Sequence, residues 1–591
     1  MRVKRSKLVA GVAVLGLLAA ACGGDDDTNG AATTAAPDAE PEETADDVDE
    51  PDDTPAPDDT DDTDDAEAPD TEAPDTEAPD TPDGHQNMLG EPAADREECT
   101  ADRIGGEATF GLARATESLD PTRALGSGVA GGIEIAAIYD TLILYDAANG
   151  TYLPHVAESV TANEELSEWT VTLRDGIYFG NGDPITTEAV RYSIERMQGA
   201  VVSSDGQAQL VDEMELVDDL TIKFTLTMPS AEFLYVLAED AGKITNPAVV
   251  DSMDPDEFNL NPSGAGVGPY EFESFAPGEE LVLRAKDDYW GGPVCIETLR
   301  FVHVGGARET YDAFVLGELD MAFLSNAPLQ AAQLREQGVS LVGGVTNGQN
   351  VLVINAGREG TDSPMQDVRL RRAAAAAIDT ELINDRVYEG MGIPGSALVA
   401  DEEPWSPGVP GPAHDPELAR SLVEEVKAEG EWDGTVTIVA NNAPSEAVDM
   451  IILVEGMLEE VGFDVEVDFA PPGDVRNRII VEASFDLGTF GISALEDAPT
   501  ARYNSYEMDS PRNRTGYGTP EMDEALAQLQ VAVTREEKRE AMGAIQEIWN
   551  RDVPSLILGH GEWLIATADH VQGVFISRDV TPMFNWSYID R

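Results

Sequence analysis

The chain has 591 residues, with 114 Asp/Glu against 36 Lys/Arg and a formal net charge of −78. That length allows roughly three or four domains of ~100–200 residues, and a hydrophobic content of 42% is enough for a large core. So negative a charge argues against a nucleic-acid binder, because neutralising phosphates requires clustered Lys and Arg.

Arg2, Lys4, Arg5 and Lys7 form a positive start, followed by an apolar run over 8–20. A spanning helix needs ~20 such residues, so this shorter run reads as the apolar part of an export signal. It ends Leu18-Ala19-Ala20-Ala21-Cys22-Gly23. Small residues directly before a cysteine resemble the lipobox of bacterial lipoproteins, although Ala19 stands where Leu is usual. The resemblance implies a signal peptide over 1–21 and a diacylglyceryl thioether on Cys22. The alternative is an ordinary secretory signal cut near Ala21. No other apolar run is long enough to span a membrane.

From Asp25 to Asp83 there are about 26 Asp/Glu and no Lys or Arg. The unit Ala-Pro-Asp-Thr-Glu repeats at 68–72 and 73–77 and decays at 78–81. Such a stretch has no apolar periodicity and cannot form a core. Residues 22–95 therefore read as an anchor cysteine plus a disordered acidic tether, spanning about 50 Å as a coil and about 200 Å if fully extended.

Beyond the tether, Cys99 and Cys295 are the two cysteines left after Cys22, and in an oxidising compartment two can pair. The six histidines are scattered with no ligand spacing, so no metal site is readable. Residues 106–113 read as a strand. Gly126, Gly128 and Gly131 match GxGxxG, but no strand runs directly into them, so they read as a loop opening a helix over 133–139 whose free N–H groups are able to face a ligand. Trp169, Val171 and Leu173 alternate with polar residues as in a half-buried strand. Thr186 is placed to cap the next helix, with Val190, Ile194 and Met197 on one face.

The succession Pro154, Arg174-Asp-Gly176, Gly180-Asn-Gly-Asp-Pro184, Thr187-Glu188-Ala-Val190 and 193–196 resembles the signature of the family 5 extracellular solute-binding proteins, the peptide, nickel and oligosaccharide receptors of ABC importers. Further landmarks follow in the family order. These are Gly266-Val-Gly-Pro-Tyr270, Pro277-Gly278, Asp288-Tyr-Trp-Gly-Gly292, Asp367-Val-Arg-Leu-Arg371, Ala377-Ile-Asp379, 390–394, Asp415-Pro-Glu417 with Ala419, 513–517 and Pro520-Glu-Met-Asp523. The resemblance covers about residues 105–591. Each motif alone is soft, and locally each has a structural reading. Trp290 reads as core or a lid over a turn, Arg369 and Arg371 as partners of acidic neighbours, and 373–377 as a close-packed helix. No nucleophile elbow, P-loop or HExxH motif appears.

The resemblance implies an α/β, bilobed periplasmic-binding-protein-like fold (type II, cluster C) with an inserted subdomain and a hinge. Mapped here, lobe I takes 96–145, 262–335 and 569–591, the insert 146–261 and lobe II 336–568. The hinge then falls near 335 and 568, and Cys99 and Cys295 share lobe I. The implied function is capture of a small solute, an oligopeptide or similar, by hinge closure and its delivery to an ABC permease with a separate ATPase. The protein is then a monomer held by lipid on the extracytoplasmic face, without cofactor, metal or catalytic residue.

In the peptide receptors of this family, an Asp after a Trp-x-x sequence holds the peptide's amino group. Here Ile492 stands at the Trp position and Leu495 at the Asp position, with Glu496 and Asp497 just beyond. Other ligand-binding candidates are Glu117, Asn347, Gln349, Trp405, Asn441, Tyr503 and Asn504. Trp and Tyr suit stacking on a flat or sugar-like ligand. Two rival classes stay open, a ligand-sensing lipoprotein of the same fold and a secreted hydrolase.

Overall fold

The computed structural model describes residues 86–91, 99–124, 131–200, 207–492, 494 and 500–590. Cys22, Gly126, Gly128, Leu495, Glu496 and Asp497 lie outside them.

The alternation of Trp169, Val171 and Leu173 becomes the strand Glu168–Leu173, with those three side chains buried and their neighbours half-buried. This strand is central to a five-stranded antiparallel sheet ordered Gln86–Asn87, Ala157–Ala162, Glu168–Leu173, Thr221–Leu226, Val211–Leu216. The helix Thr187–Gln198 packs Val190, Ile194 and Met197 on the same core. Thr186 occupies the N-cap position, but its side chain makes no capping bond. The helix start is held from a neighbouring loop instead, where the Thr187 hydroxyl donates to the Asp218 carbonyl at 2.7 Å.

Within the stretch expected as tether, Gln86 and Asn87 pair with Ala162 and Thr161, and Met88 and Leu89 pack on the core of the five-stranded sheet. An edge strand is held by main-chain hydrogen bonds, which acidic composition upstream does not forbid.

A second, ten-stranded mixed sheet organises the rest. From one edge its order is Asp464–Ala470, Thr435–Asn441, Leu487–Thr489, Ser340–Ile354, Ser555–Thr567, Met321–Ser325, Glu107–Leu112, Thr298–His303, Glu280–Ala285, Tyr270–Ala276. Two long antiparallel strands, Ser340–Ile354 and Ser555–Thr567, run through its middle. Residues 340–346 pair with 561–567, whose other edge lies beside Met321–Ser325, while 352–354 border Leu487–Thr489. Between these stretches the register shifts at Thr346, Asn350 and Val351.

The far end of the sheet is covered on both faces. Leu352 and Ile354 enter one core with the Ala-rich helix Val368–Ala377, and Val351 and Val353 enter another with Trp405, Tyr503 and Trp549. At the near end, a disulfide joins Cys99 to Cys295, with a Cα–Cα separation of 5.6 Å.

The landmark Asp288-Tyr-Trp-Gly-Gly292 closes on one carboxylate. Asp140 Oδ2 accepts from Tyr289 Oη at 3.0 Å and from Trp290 Nε1 at 2.8 Å, and His155 Nε2 lies 3.7 Å from Oδ1. Burial raises the Asp140 pKa, against the opposing pull of His155, Trp290, Tyr289 and Lys286. Gly266 and Gly268 press flat on the Ile138 peptide, where any Cβ would collide with it. Trp290 is therefore half-buried packing with a structural hydrogen bond.

Candidate functional site

The two central strands loosen where several segments converge. At the register shift, Asn347 pairs with Ala494 through main-chain bonds of 2.9 and 3.0 Å. Its side chain donates to the Ala494 carbonyl at 3.3 Å and accepts the Ala400 N–H at 2.8 Å. The next residue, Gly348, donates its N–H to His560 Nδ1 at 3.3 Å from the opposite strand. Ile492 packs over Gly348.

The segment after the five-stranded sheet also touches this half of the molecule. The Ala231 N–H donates to the Gln530 carbonyl at 2.9 Å, and the Thr500 N–H donates to Glu232 Oε1 at 3.0 Å. Burial raises the Glu232 pKa, and the Thr500 hydrogen bond, Lys538 and Arg578 oppose the rise. Thr346 Oγ1, Thr500 Oγ1, Tyr503 Oη and Asn504 Oδ1 are buried without a hydrogen-bond partner among the described residues. Buried polar atoms ordinarily have partners, so this set is suited to hold the polar groups of a bound molecule. No group of three His, Cys, Asp or Glu that could hold a metal occurs among the described residues.

The expected site residues divide by place. Asn347 is fully buried and joins three segments, and Gln349 is half-buried beside it. Trp405 and Tyr503 share one apolar cluster with Ile492. The Trp405 ring is 3% exposed with its Nε1 on Glu403 at 3.1 Å, so in this conformation it is packing and not a stacking platform. Asn441 ends the strand Thr435–Asn441, and its N–H donates to Thr489 Oγ1 at 3.0 Å. Asn504 is half-buried near Thr500, and Glu117 is exposed on a separate loop.

The Gly-rich loop does not offer the free helix end that was expected. The helix is one turn, Gly132–Ile135, and the Gly131 N–H is taken by Glu134 Oε2 at 2.8 Å. Arg369 pairs with Asp367, Glu425 and Glu429 as expected. Arg371 donates instead to the main-chain carbonyls of Met365, Gln366 and Asp552. Glu232 and His560 carried no local signal, because each matters only through partners far away in the sequence.

The family model for bacterial extracellular solute-binding proteins, family 5 (middle), matches residues 151–513. The chain belongs to this family. It is similar to the probable D,D-dipeptide-binding periplasmic protein DdpA of Escherichia coli, 25% identical over 447 residues, which is 73% of this chain and 83% of the relative. It is also 23% identical to the glutathione-binding protein GsiB of Pectobacterium atrosepticum, over 72% of this chain and 83% of that one. Among solved structures, the Helicobacter pylori DppA complex with the peptide STSA matches with a TM-score of 0.69 at 19% identity, covering 83% of this chain and 99% of that one. NikA of Brucella suis with Fe(III)-EDTA matches at 0.67 and 20%, covering 82% and 100%.

The fold is thus the α/β bilobed fold of periplasmic binding proteins. The family 5 protein is a transport binding protein and not an enzyme. No helix among the described residues is long and apolar enough to cross a membrane.

His560 gives this solute-binding protein a pH-dependent crossing. Burial lowers its pKa from 6.5 to about 4, against a weaker opposing pull from Asp401. The folded protein therefore binds fewer protons than the unfolded chain between pH 6.5 and 4. Stability from this group is fully present above pH 6.5 and is lost as pH falls to about 4, by about 3 kcal/mol in all. Urea unfolding at pH 7.5 and pH 4.5 is expected to show this loss in the wild type and to lack it in His560→Gln. Equal pH dependence in the two proteins would refute the assignment.

Proposed function

We propose that this family 5 protein is the capture subunit of an ABC importer for a small peptide, closing its two lobes around the ligand and presenting the closed form to a permease. The observation that carries the reading is the pair of contacts from Ala231 and Glu232 to Gln530 and Thr500. They join the segment after the five-stranded sheet to residues flanking the ten-stranded sheet, which is itself continuous through two long strands. The hinge is assigned to the register shift at 346–351 and the facing 557–561, inside the boundaries near 335 and 568 that the sequence suggests. The insert and the first lobe form one jaw, and the second lobe forms the other. A bound ligand that touches both jaws favours the closed form by its differential affinity.

Support for a peptide comes from the relatives' printed specificities and from the unpartnered polar atoms of Thr346, Thr500, Tyr503 and Asn504. Delivery to permease and ATPase subunits, lipid attachment at Cys22, the tether and a monomeric state belong to the same proposal.

The test is native mass spectrometry of the protein from residue 86 onward, purified from its own host without refolding. A discrete added mass that is lost on denaturation and fragments as a peptide is the expected result. A retained molecule that is not a peptide would overturn the ligand class. A bare protein that also fails to bind any member of a di- and tripeptide panel would overturn peptide capture.

A further inference from the structure

Residues 231 and 232 take up groups that distant elements cannot satisfy themselves. The Gln530 carbonyl lies in the last turn of the helix Pro520–Val531, where carbonyls lack an intrahelical donor, and it accepts the Ala231 N–H at 2.9 Å. Thr500 begins the helical turn Thr500–Tyr503, where the first N–H has no acceptor inside the turn, and Glu232 Oε1 accepts it at 3.0 Å. Such an amide is ordinarily taken by a side chain just before the turn. Here the acceptor comes from 268 positions away.

Glu232 is braced from behind. Its N–H donates to Ser230 Oγ at 3.2 Å, and the Ser230 N–H donates to the Leu166 carbonyl at 3.0 Å. The same carbonyl accepts from Trp169 Nε1 at 3.1 Å. Leu166 has φ of +55° in the turn between the strands Ala157–Ala162 and Glu168–Leu173. A leucine keeps that conformation only where its surroundings enforce it. Ser230 is fully buried and Glu232 is 8% exposed, so the carboxylate is held against the five-stranded sheet.

The turn that receives it is fixed at its other end by its own half of the molecule. Tyr506 Oη and Ser555 Oγ are 2.8 Å apart, and the Trp549 ring lies 4.7 Å from the Tyr506 ring and 6.4 Å from that of Tyr503. This segment carries Thr500 Oγ1, Tyr503 Oη and Asn504 Oδ1, three of the buried polar atoms without a partner among the described residues. Where they point depends on the hold at Thr500 as well as the hold at Tyr506.

We propose that Glu232 is a positioning residue of capture: when the jaws close it takes the Thr500 N–H and sets residues 500–504 for the solute, and the same contact forms in the solute-free protein. The inference deepens the capture reading and rests on its division into two jaws. A charged acceptor makes the stronger kind of hydrogen bond. A carboxylate buried without its donor is costly. Half-closed arrangements that strand Glu232 are therefore disfavoured, and closure is sharpened into two states.

The test uses the chain from residue 86 with spin labels at Val217→Cys and Leu418→Cys, exposed positions of the two jaws. Cys99 and Cys295 are bonded to each other and take no label. Pulsed electron resonance measures the label distance in the wild type, Glu232→Ala, Thr500→Pro and the double variant. Proline suits the first position of a helical turn and lacks the N–H that Glu232 accepts. Without added solute the wild type is expected to show a short and a long distance. The short-to-long ratio is expected to fall about tenfold in each single variant and no further in the double. Glu232→Gln keeps an acceptor and is expected to lie between the wild type and Glu232→Ala. Amide exchange over 500–506 is expected to quicken in parallel. In calorimetry, Ala-Ala-Ala is expected to bind Glu232→Ala about tenfold more weakly than the wild type.

Two distances whose ratio ignores Glu232→Ala, or losses that add in the double variant, would overturn the inference and leave the jaws standing. A lower urea midpoint in Glu232→Ala with unchanged distances would reduce the contact to packing and overturn it as well. One distance common to every variant would remove the two jaws and the inference with them, and so would a wild type that shows only the long distance remove the solute-free contact. Equal Ala-Ala-Ala binding by the wild type and Glu232→Ala, with distances that still depend on Glu232, would leave a clasp that does not position solute and overturn the role. If Ala-Ala-Ala and the di- and tripeptide panel all fail to bind while distances and exchange depend on Glu232, the hold on Thr500 stands and peptide capture fails.

Discussion

Asp140→Ala is expected to destabilise the folded module by about 3–5 kcal/mol. The carboxylate is fully buried and holds Tyr289 Oη and Trp290 Nε1, with His155 beside it. Its removal leaves buried donors without an acceptor, each costing about 1–3 kcal/mol. It also strips a nearby negative charge from Lys286, whose pKa burial already lowers and Asp140 supports. Lys286 Nζ holds the Gly266 carbonyl at 3.2 Å, so the loss reaches the turn that packs on Ile138. Asp140→Asn keeps one acceptor oxygen and is expected to lose less than the Ala variant. Urea unfolding followed by tryptophan fluorescence measures both. A loss under about 1 kcal/mol for Asp140→Ala would show that the cluster is held by shape alone.

Removing the Cys99–Cys295 disulfide is expected to cost about 5 kcal/mol. The bond closes a loop of sequence separation 196. In the chain-entropy account, the constraint on the unfolded state grows with the logarithm of loop length and reaches about 4.7 kcal/mol at 100 residues. Cys295 is fully buried, next to the strand Thr298–His303, and its carbonyl accepts the Gly105 N–H at 2.8 Å. The bond thus ties Cys99 to the segment just before the strand Thr298–His303. Cys99→Ser/Cys295→Ser, compared with the oxidised protein in urea, is the measurement. Unchanged unfolding midpoints would mean that the main-chain contacts around Gly105 hold this segment without the bond.

Both effects concern residues separated by about 150 to 200 positions, and this is where sequence reading reaches its limit. Trp169, Val171 and Leu173 announce a strand because side-chain direction alternates at every residue. Val190, Ile194 and Met197 announce a helix face for the same kind of reason. The ordered landmarks from Pro154 to Asp523 suffice for the family, since each is a turn or packing constraint of one shared fold. None of these signals says which loops meet.

Asn347 was legible as a turn residue before a strand, but its position as the joint of Ala400 and Ala494 was not. Trp405 looked available for stacking because a Pro-rich loop is ordinarily exposed, yet the loop folds back and buries the ring. Glu232 carried no motif, and its relevance comes from Thr500, 268 residues away. Arg514 looked like one of many arginines until the fold set it over Phe490.

By itself, then, the sequence determined the acidic low-complexity stretch, several strands and helices, and the family, because these depend on composition, short periodicities and the order of local constraints. Only the tertiary structure decided where the two central strands shift register and which polar atoms face one another across the molecule. Those properties arise when distant segments are brought within a few ångströms and water is excluded between them. Neither condition leaves a local pattern in the chain.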